Sequence, residues 1–212
     1  RPTKWHLGEP SPWSHLSNKT LTIEKIKQAV EKYEPVVVQK DLLEEYTQEA
    51  GVLVALYEEQ NSLQVILTRR SPHLSSHAHQ VSFPGGHQEK VDKDLWSTAL
   101  REAHEETGLD PSLPKKIGEL DAIVTVGSGT LIYPFVALLP HRPELKANSA
   151  EVETIRHVDL AELLKEETWR EANWERAERS QAVTLFEIAN ETIWGATANI
   201  LRQLLTLGLG IV

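Results

Sequence analysis

The sequence predicts an α/β protein, an α/β/α sandwich in which a mixed β-sheet lies between helices. Three observations carry this. Two apolar runs, Ala50–Tyr57 and Leu63–Thr68, have strand length and are separated by a short polar turn. A single amphipathic helix, ending near Leu109, stands between those runs and further apolar runs downstream. A second apolar-striped helix closes the chain. Strands before and after one embedded helix, with another helix beyond them, suggest a sheet covered on both faces.

Residues 1–20 are polar, with Pro2, Pro10 and Pro12, and read as an irregular arm. Thr22 is placed to cap a helix through Ile23, Ile26, Val30 and Tyr33, whose spacing is helical; Glu34-Pro35 ends it. Residues 36–49 form a connection. AGVLVALY and LQVILT are then a hairpin closed by Arg69 and Arg70. Residues 71–79 are a loop, and Gln80–Phe83 a short strand that delivers a Pro-Gly-Gly turn. Asp110-Pro111 stops the helix that follows. Ile117–Val126 and Leu131–Leu139 read as strands joined by Gly127-Ser128-Gly129, and Pro134 assigns the second to an edge, a bulge or an irregular segment. Val152–Val158 is a strand, with Asp159 capping a helix from Leu160. The charged stretch 166–180 is expected as a surface excursion. Ala182–Ile188 is the last strand, and Ala189–Leu205 the last helix, with Ile193, Ala196, Ile200 and Leu204 on one stripe.

The 212 residues suffice for one full core. Hydrophobic residues make up 40% and charged residues 25%, as in soluble globular proteins. A net charge of −9 disfavours nucleic acid and anionic membrane as partners. The chain contains no cysteine, which excludes disulfides and thiol chemistry. No charged leader with an apolar run and no membrane-length apolar run is seen, so a cytoplasmic location is expected.

The chemistry concentrates in FPGGHQEKVDKDLWSTALREAHEETGL, residues 83–109. Glu102, Glu105 and Glu106 stand at i, i+3 and i+4, within roughly 100° of one helical face. Trp96, Ala99, Leu100 and Ala103 form the neighbouring apolar arc, so the helix can bury one side and present the acids on the other. Three close carboxylates repel one another unless a cation joins them, and hard Mg²⁺ or Mn²⁺ prefers such oxygens. A solvated acidic face is the ordinary fate of such a run. The Gly-Gly turn before it and Gly108 after it, at fixed distances, favour a site.

This stretch resembles the Nudix box, G-x5-E-x7-R-E-U-x-E-E-x-G-U, where U is apolar. Gly86, Arg101, Glu102, Ala103, Glu105, Glu106, Gly108 and Leu109 match. Asp92 stands where the first Glu is expected, and eight residues separate it from Arg101. Both departures resemble the coenzyme A pyrophosphatase branch. Upstream, ILTRRSPHLSSHAHQVSFPGG is similar to that branch's signature, LLTxRSx3Rx3Gx3FPGG. Leu67, Thr68, Arg70, Ser71, Phe83, Pro84, Gly85 and Gly86 match, while Ser75 replaces an Arg and His79 a Gly. The stretch Ile193–Leu201 also looks like this branch.

The resemblance implies a Nudix hydrolase domain over residues 36–212, preceded by an arm and helix over 1–35. It implies a small nucleotide substrate cleaved at a diphosphate, coenzyme A or a derivative first, giving 3',5'-ADP and 4'-phosphopantetheine. ADP-ribose, a nucleoside triphosphate, or a non-catalytic nucleotide-binding role are the alternatives. Glu102, Glu105, Glu106 and the Gly85 carbonyl would hold Mg²⁺ or Mn²⁺, with Arg101 orienting a glutamate. Arg70, Ser71 and Gly86 would bind substrate, since arginine's planar fork suits phosphate. The general base stays open between a box glutamate and a distal acid, Glu151 or Glu153. An isomerase on the same fold would need an acid–base pair that typically includes Cys.

Outside the motif, His73, His77, His79 and His87 match no standard zinc spacing, and His79 and His87 are expected in loop or pocket walls. Trp96 and Trp194 are expected to pack their helices. The tail LLTLGLGIV, residues 204–212, is apolar, and Gly208 and Gly210 argue against continued helix. Such a tail either folds back or lies in a homodimer interface, and the homodimer is the expectation taken here.

Overall fold

The computed structural model describes residues 9–36, 48–74, 78–125, 129–176 and 179–211, with backbone alone at 173–176 and 179–181. Eight strands form the main sheet: β1 (Gln48–Glu59), β2 (Ser62–Arg70), β3 (Val81–Ser82), β4 (Gly85–His87), β5 (Lys115–Glu119), β6 (Ile123–Val124), β7 (Thr130–Leu138) and β8 (Val152–Asp159). The sheet is mixed, because β1 and β7 run parallel from Gln48↔Thr130 to Leu56↔Leu138 while the other pairs are antiparallel. Helix α1 (Ile23–Lys32) starts at the expected cap, Thr22 Oγ1 accepting from the Lys25 N–H. Among the described residues no helix is long and apolar enough to cross a membrane.

The β1–β2 hairpin forms as expected. Its turn residues Gln60 and Asn61 both have positive φ, 51° and 63°, as a two-residue turn matched to strand twist requires. Beyond Leu56↔Val65 the pairing of the two strands stops, and residues 81–87 enter the gap, with β3 on β2 and β4 on β1. The Pro-Gly-Gly turn is thereby built into the sheet, and the Leu53 N–H donates to the Pro84 carbonyl at 2.8 Å.

Helix α2 (Leu95–Thr107) covers one face, packing Ala99 and Ala103 with Leu53, Ala55, Tyr57, Phe135 and Leu109. Trp96 meets Phe135 edge-on at 5.7 Å, so it packs this helix as expected. The other face is covered by α1, by α4 (Gly195–Leu209) and by a second sheet of β9 (Trp169–Arg176), β10 (Arg179–Ile188) and β11 (Glu191–Trp194). The short helix α3 (Leu160–Leu163) begins at Asp159, whose side chain accepts from the Ala161 N–H. Trp13 of the arm is fully buried among Trp169 and Phe186, with its indole N–H on the Leu164 carbonyl.

Several expectations are corrected. Among the described residues of 166–180, β9 and β10 pair along Trp169↔Phe186 to Arg176↔Arg179, and Trp169 and Ala172 are buried, so at least its first part belongs to the second sheet and core. Residues 191–194 are a strand, and the last helix begins at Gly195. The run that begins at Ile117 is parts of two short strands, β5 and β6, rather than one, and residues 126–128, with the expected Gly127-Ser128 joint, lie outside the described residues. Pro134 is not on an edge. β1 lies on one side of β7, and β5 and β6 on the other. The paired residues Ile132 (with β6) and Phe135 (with β5) flank it, so its missing N–H falls at the break between those two strands.

The tail is corrected too. Helix α4 runs through Gly208 to Leu209 and ends at Gly210, φ 70°. A Cβ at Gly208 would stand 2.8 Å from Leu21 and 2.9 Å from Ile26. Close packing on α1 therefore outweighs the helix cost of glycine, about 1 kcal/mol. Leu204 and Leu205 are buried, and Leu207, Leu209 and Ile211 pack against the same core. The tail thus packs in part against its own chain, with Leu207, Leu209 and Ile211 only partly buried.

Candidate active site

Helix α2 starts at Asp94, whose carboxylate accepts from the Ser97 N–H at 2.7 Å. It ends at Gly108 in the left-handed conformation, φ 69°, with that N–H on the His104 carbonyl. Its apolar arc faces β1, and the acids emerge along the side next to β4. They are not equivalent. The Glu106 residue is 3% exposed, the Glu102 side chain 16% and the Glu105 side chain 50%.

The Gly-Gly turn is shaped around two of them. A Cβ on Gly86 would run into the Glu102 carboxyl group, so only glycine admits that carboxylate. The Gly85 N–H donates to Glu106 Oε2 at 3.3 Å.

Arg101 organises the outer part of the cluster. Its Nε and Nη2 donate to Asp92 Oδ1 and Oδ2, each at 2.9 Å. Nη1 donates to Glu102 Oε1 at 2.9 Å and Glu105 Oε2 at 3.0 Å, and Nη2 also reaches the His87 carbonyl. Arg101 thus bridges Asp92 to two of the three glutamates. Asp92 also accepts from the Thr98 hydroxyl and the Glu89 N–H. The Arg101 guanidinium, with those donors, holds its carboxyl well below the usual carboxylate range.

The inner carboxylates behave oppositely. Burial pushes Glu106 up to about 8; the Gly85 N–H and the Arg70 charge oppose this, and the charges of Glu102 and Glu151 add to it. Burial also raises Glu102, against the pull of Arg101, with Glu105 and Glu151 adding repulsion. Glu151 is therefore close enough to act on both. Glu153 is engaged elsewhere, its Oε2 3.0 Å from Arg69 Nε and 3.5 Å from His79 Nδ1.

Arg70 is half-buried on the side of Glu106, and among the described residues its buried Nε has no hydrogen-bond partner. Ser71 is buried in the loop wall. Its N–H donates to the Glu151 carbonyl at 2.8 Å and its Oγ accepts from the His73 N–H. His79 takes φ 61°, the left-handed region glycine occupies freely, which explains why the resembling motif carries Gly there. Ser75 and His77 lie outside the described residues.

Among the described residues no three acidic or imidazole groups already converge as metal ligands. Glu102 and Glu105 instead share Arg101 Nη1. The donors nonetheless fit a hard divalent cation. All are carboxylate oxygens, and Glu106 is a buried carboxylate whose ionised form lacks sufficient neighbouring positive charge. The Thr98–Asp92 and Glu153–Arg69 contacts are not legible in the sequence, because the first depends on the turn before the helix and the second on the pairing of two distant strands.

A model of the NUDIX domain matches residues 47–178. A Photorhabdus laumondii protein described as an uncharacterized Nudix hydrolase, NudL, is 39% identical over 140 residues, spanning 66% of this chain and 74% of that protein. A Yersinia pestis protein of the same description is 38% identical over 140 residues, spanning 66% and 70%. Among solved structures, a MutT/nudix family protein from Enterococcus faecalis aligns with a TM-score of 0.51 at 14% identity, covering 89% of this chain and 75% of that one. That likeness speaks for the fold alone.

Proposed function

Since the chain belongs to the Nudix family and is a Nudix-type hydrolase, we propose that it is a metal-dependent pyrophosphohydrolase of nucleoside-diphosphate-linked small molecules, with coenzyme A or a derivative as the leading substrate. One observation carries the metal-dependent part. Glu106 is buried, pushed up to about 8 by that burial, and lies within electrostatic reach of Glu102, Glu151 and Arg70. A folded chain keeps so unfavourable a carboxylate where a ligand relieves it.

Bound Mg²⁺ or Mn²⁺ would supply charge neutralisation and Lewis acidity for the diphosphate oxygens. Glu102, Glu105 and Glu106 are the residues to hold it, with the Gly85 carbonyl as a further oxygen. Arg101, fixed on Asp92, keeps Glu102 and Glu105 at their positions. Arg70, with its unpartnered Nε, is the contact for a substrate phosphate. Gly86 leaves the space beside Glu102 open, and Ser71 shapes the loop at the site's edge. Of the two distal acids, Glu151 is the candidate to take the proton from the attacking water, because its charge acts on Glu102 and Glu106 while Glu153 is engaged with Arg69 and His79.

The coenzyme A assignment is supported by the matches at Leu67, Thr68, Arg70, Ser71 and Phe83–Gly86. A hydrolysis panel of coenzyme A, acyl-coenzyme A, ADP-ribose, NADH and deoxynucleoside triphosphates, each with Mg²⁺ and Mn²⁺, tests it. Release of 3',5'-ADP and 4'-phosphopantetheine at the highest kcat/KM is the expected result. A preference for ADP-ribose or triphosphates would overturn the substrate, and no turnover in any arm would leave a binding domain.

A further inference from the structure

The two arginines that end β2 part to opposite faces of the main sheet. Arg70 lies on the α2 face, by Glu106. Arg69 lies on the face covered by the second sheet, where its Nη1 stands 3.2 Å from Glu191 Oε1 and its Nε 3.0 Å from Glu153 Oε2. Glu191 opens β11, and its side chain is only 5% exposed. The same Oε1 also accepts from Arg156 Nη2 of β8 at 2.7 Å. One buried carboxylate of the small sheet thus holds two adjacent strands of the large one.

It does so where those strands are least defined by their own ladder. The β2–β8 register shifts between Arg69, opposite Thr154, and Arg70, opposite Val152. Glu153 is left as the extra residue of a bulge. At a bulge the strand bends and its side chains are re-aimed. Because successive side chains point to opposite faces, the backbone orientation that fixes Arg69 also fixes Arg70.

We propose that Glu191 is a positioning residue for the catalytic face: from the second sheet it clamps Arg69 and so sets the direction in which Arg70 meets the substrate diphosphate. This rests on Arg70 being a phosphate contact, as proposed above. Glu191 itself never touches substrate. A purely structural ion pair would change stability and leave anion binding alone, whereas a clamp on Arg70 changes anion binding in the folded protein.

The probe is methylenediphosphonate, a non-hydrolysable diphosphate, titrated with Mg²⁺ into the full chain by calorimetry, with melting curves recorded in parallel. Glu191→Gln should weaken binding about tenfold at a temperature where the variant is folded, the scale at which a small misplacement is felt. The double variant Glu191→Gln/Arg70→Lys should bind no more weakly than Arg70→Lys alone, since both act through one side chain. If Glu191→Gln does not fold, Arg69→Gln, which leaves Arg156 on Glu191, should show the same loss. Unchanged affinity in the folded clamp variants, or full additivity in the double variant, overturns the clamp. Parent-like affinity in Arg70→Lys overturns the phosphate contact and the clamp with it. Weakened Arg70→Lys beside an unaffected Glu191→Gln overturns the clamp alone.

Discussion

Asp92 and Arg101 meet in a two-pronged salt bridge, Nε on Oδ1 and Nη2 on Oδ2, each at 2.9 Å. The remaining guanidinium nitrogen, Nη1, is thereby aimed at Glu102 and Glu105. Asp92 itself closes a turn over residues 89–92, its N–H on the Glu89 carbonyl at 3.0 Å.

Asp92→Asn is expected to cost about 2 kcal/mol, since the Arg101 guanidinium loses its two-pronged partner and keeps only Glu102 and Glu105. Turnover should fall about tenfold with it, because Glu102 and Glu105 lose their fixed support. The sign of the pH effect follows from a folded pKa held below the ordinary value. The stabilisation is present above the ordinary carboxylate range and is lost as pH falls through the depressed value. Urea midpoints at pH 7 and pH 3 for both proteins check this, and an unchanged acid sensitivity in the variant would contradict it.

Glu105→Gln separates chemistry from folding. Glu105 is half exposed and shares Arg101 with stronger partners, so stability should move by less than about 1 kcal/mol. Mg²⁺-dependent turnover should fall by about two orders of magnitude, because a neutral amide cannot balance the cation. Near-parental turnover would remove Glu105 from the metal set.

Glu106→Gln addresses the buried charge in metal-free protein. An acid raised from 4.5 to about 8 binds its proton more tightly when folded, so this group costs stability as pH rises between those values. In EDTA, the parent should lose stability from pH 6 to pH 8, and the variant should lose less and exceed the parent at pH 8. Equal pH slopes by urea denaturation would show that the burial penalty does not rest on Glu106.

A chain ending at Thr206 should be less stable by about 3 kcal/mol, from lost burial of Leu207 and Leu209 and lost contact of Gly208 with α1. Light scattering should give the same oligomeric state for both chains. A truncation that melts like the parent but changes oligomeric state would mean that the tail serves an interface between copies.

The local chemistry of the site was legible in the sequence, because it depends on spacing along one chain segment. The i, i+3, i+4 acids, the apolar arc beside them, the Gly-Gly turn, and the caps at Thr22 and Asp159 all follow from helix and turn geometry. Tertiary structure decided what depends on neighbours from distant segments. Pro134 sits inside the sheet because two other strands happen to break opposite its missing N–H. Gly208 stays helical because α1 needs the room that a side chain would take. Trp169 is buried because Trp13, more than a hundred residues earlier, returns to meet it. Arg69 and Arg70, identical in sequence terms, take different partners because strand alternation sends one to Glu191 and the other toward Glu106. Glu106 is pushed up to about 8, since packing against the Gly-Gly turn and the sheet removes it from water.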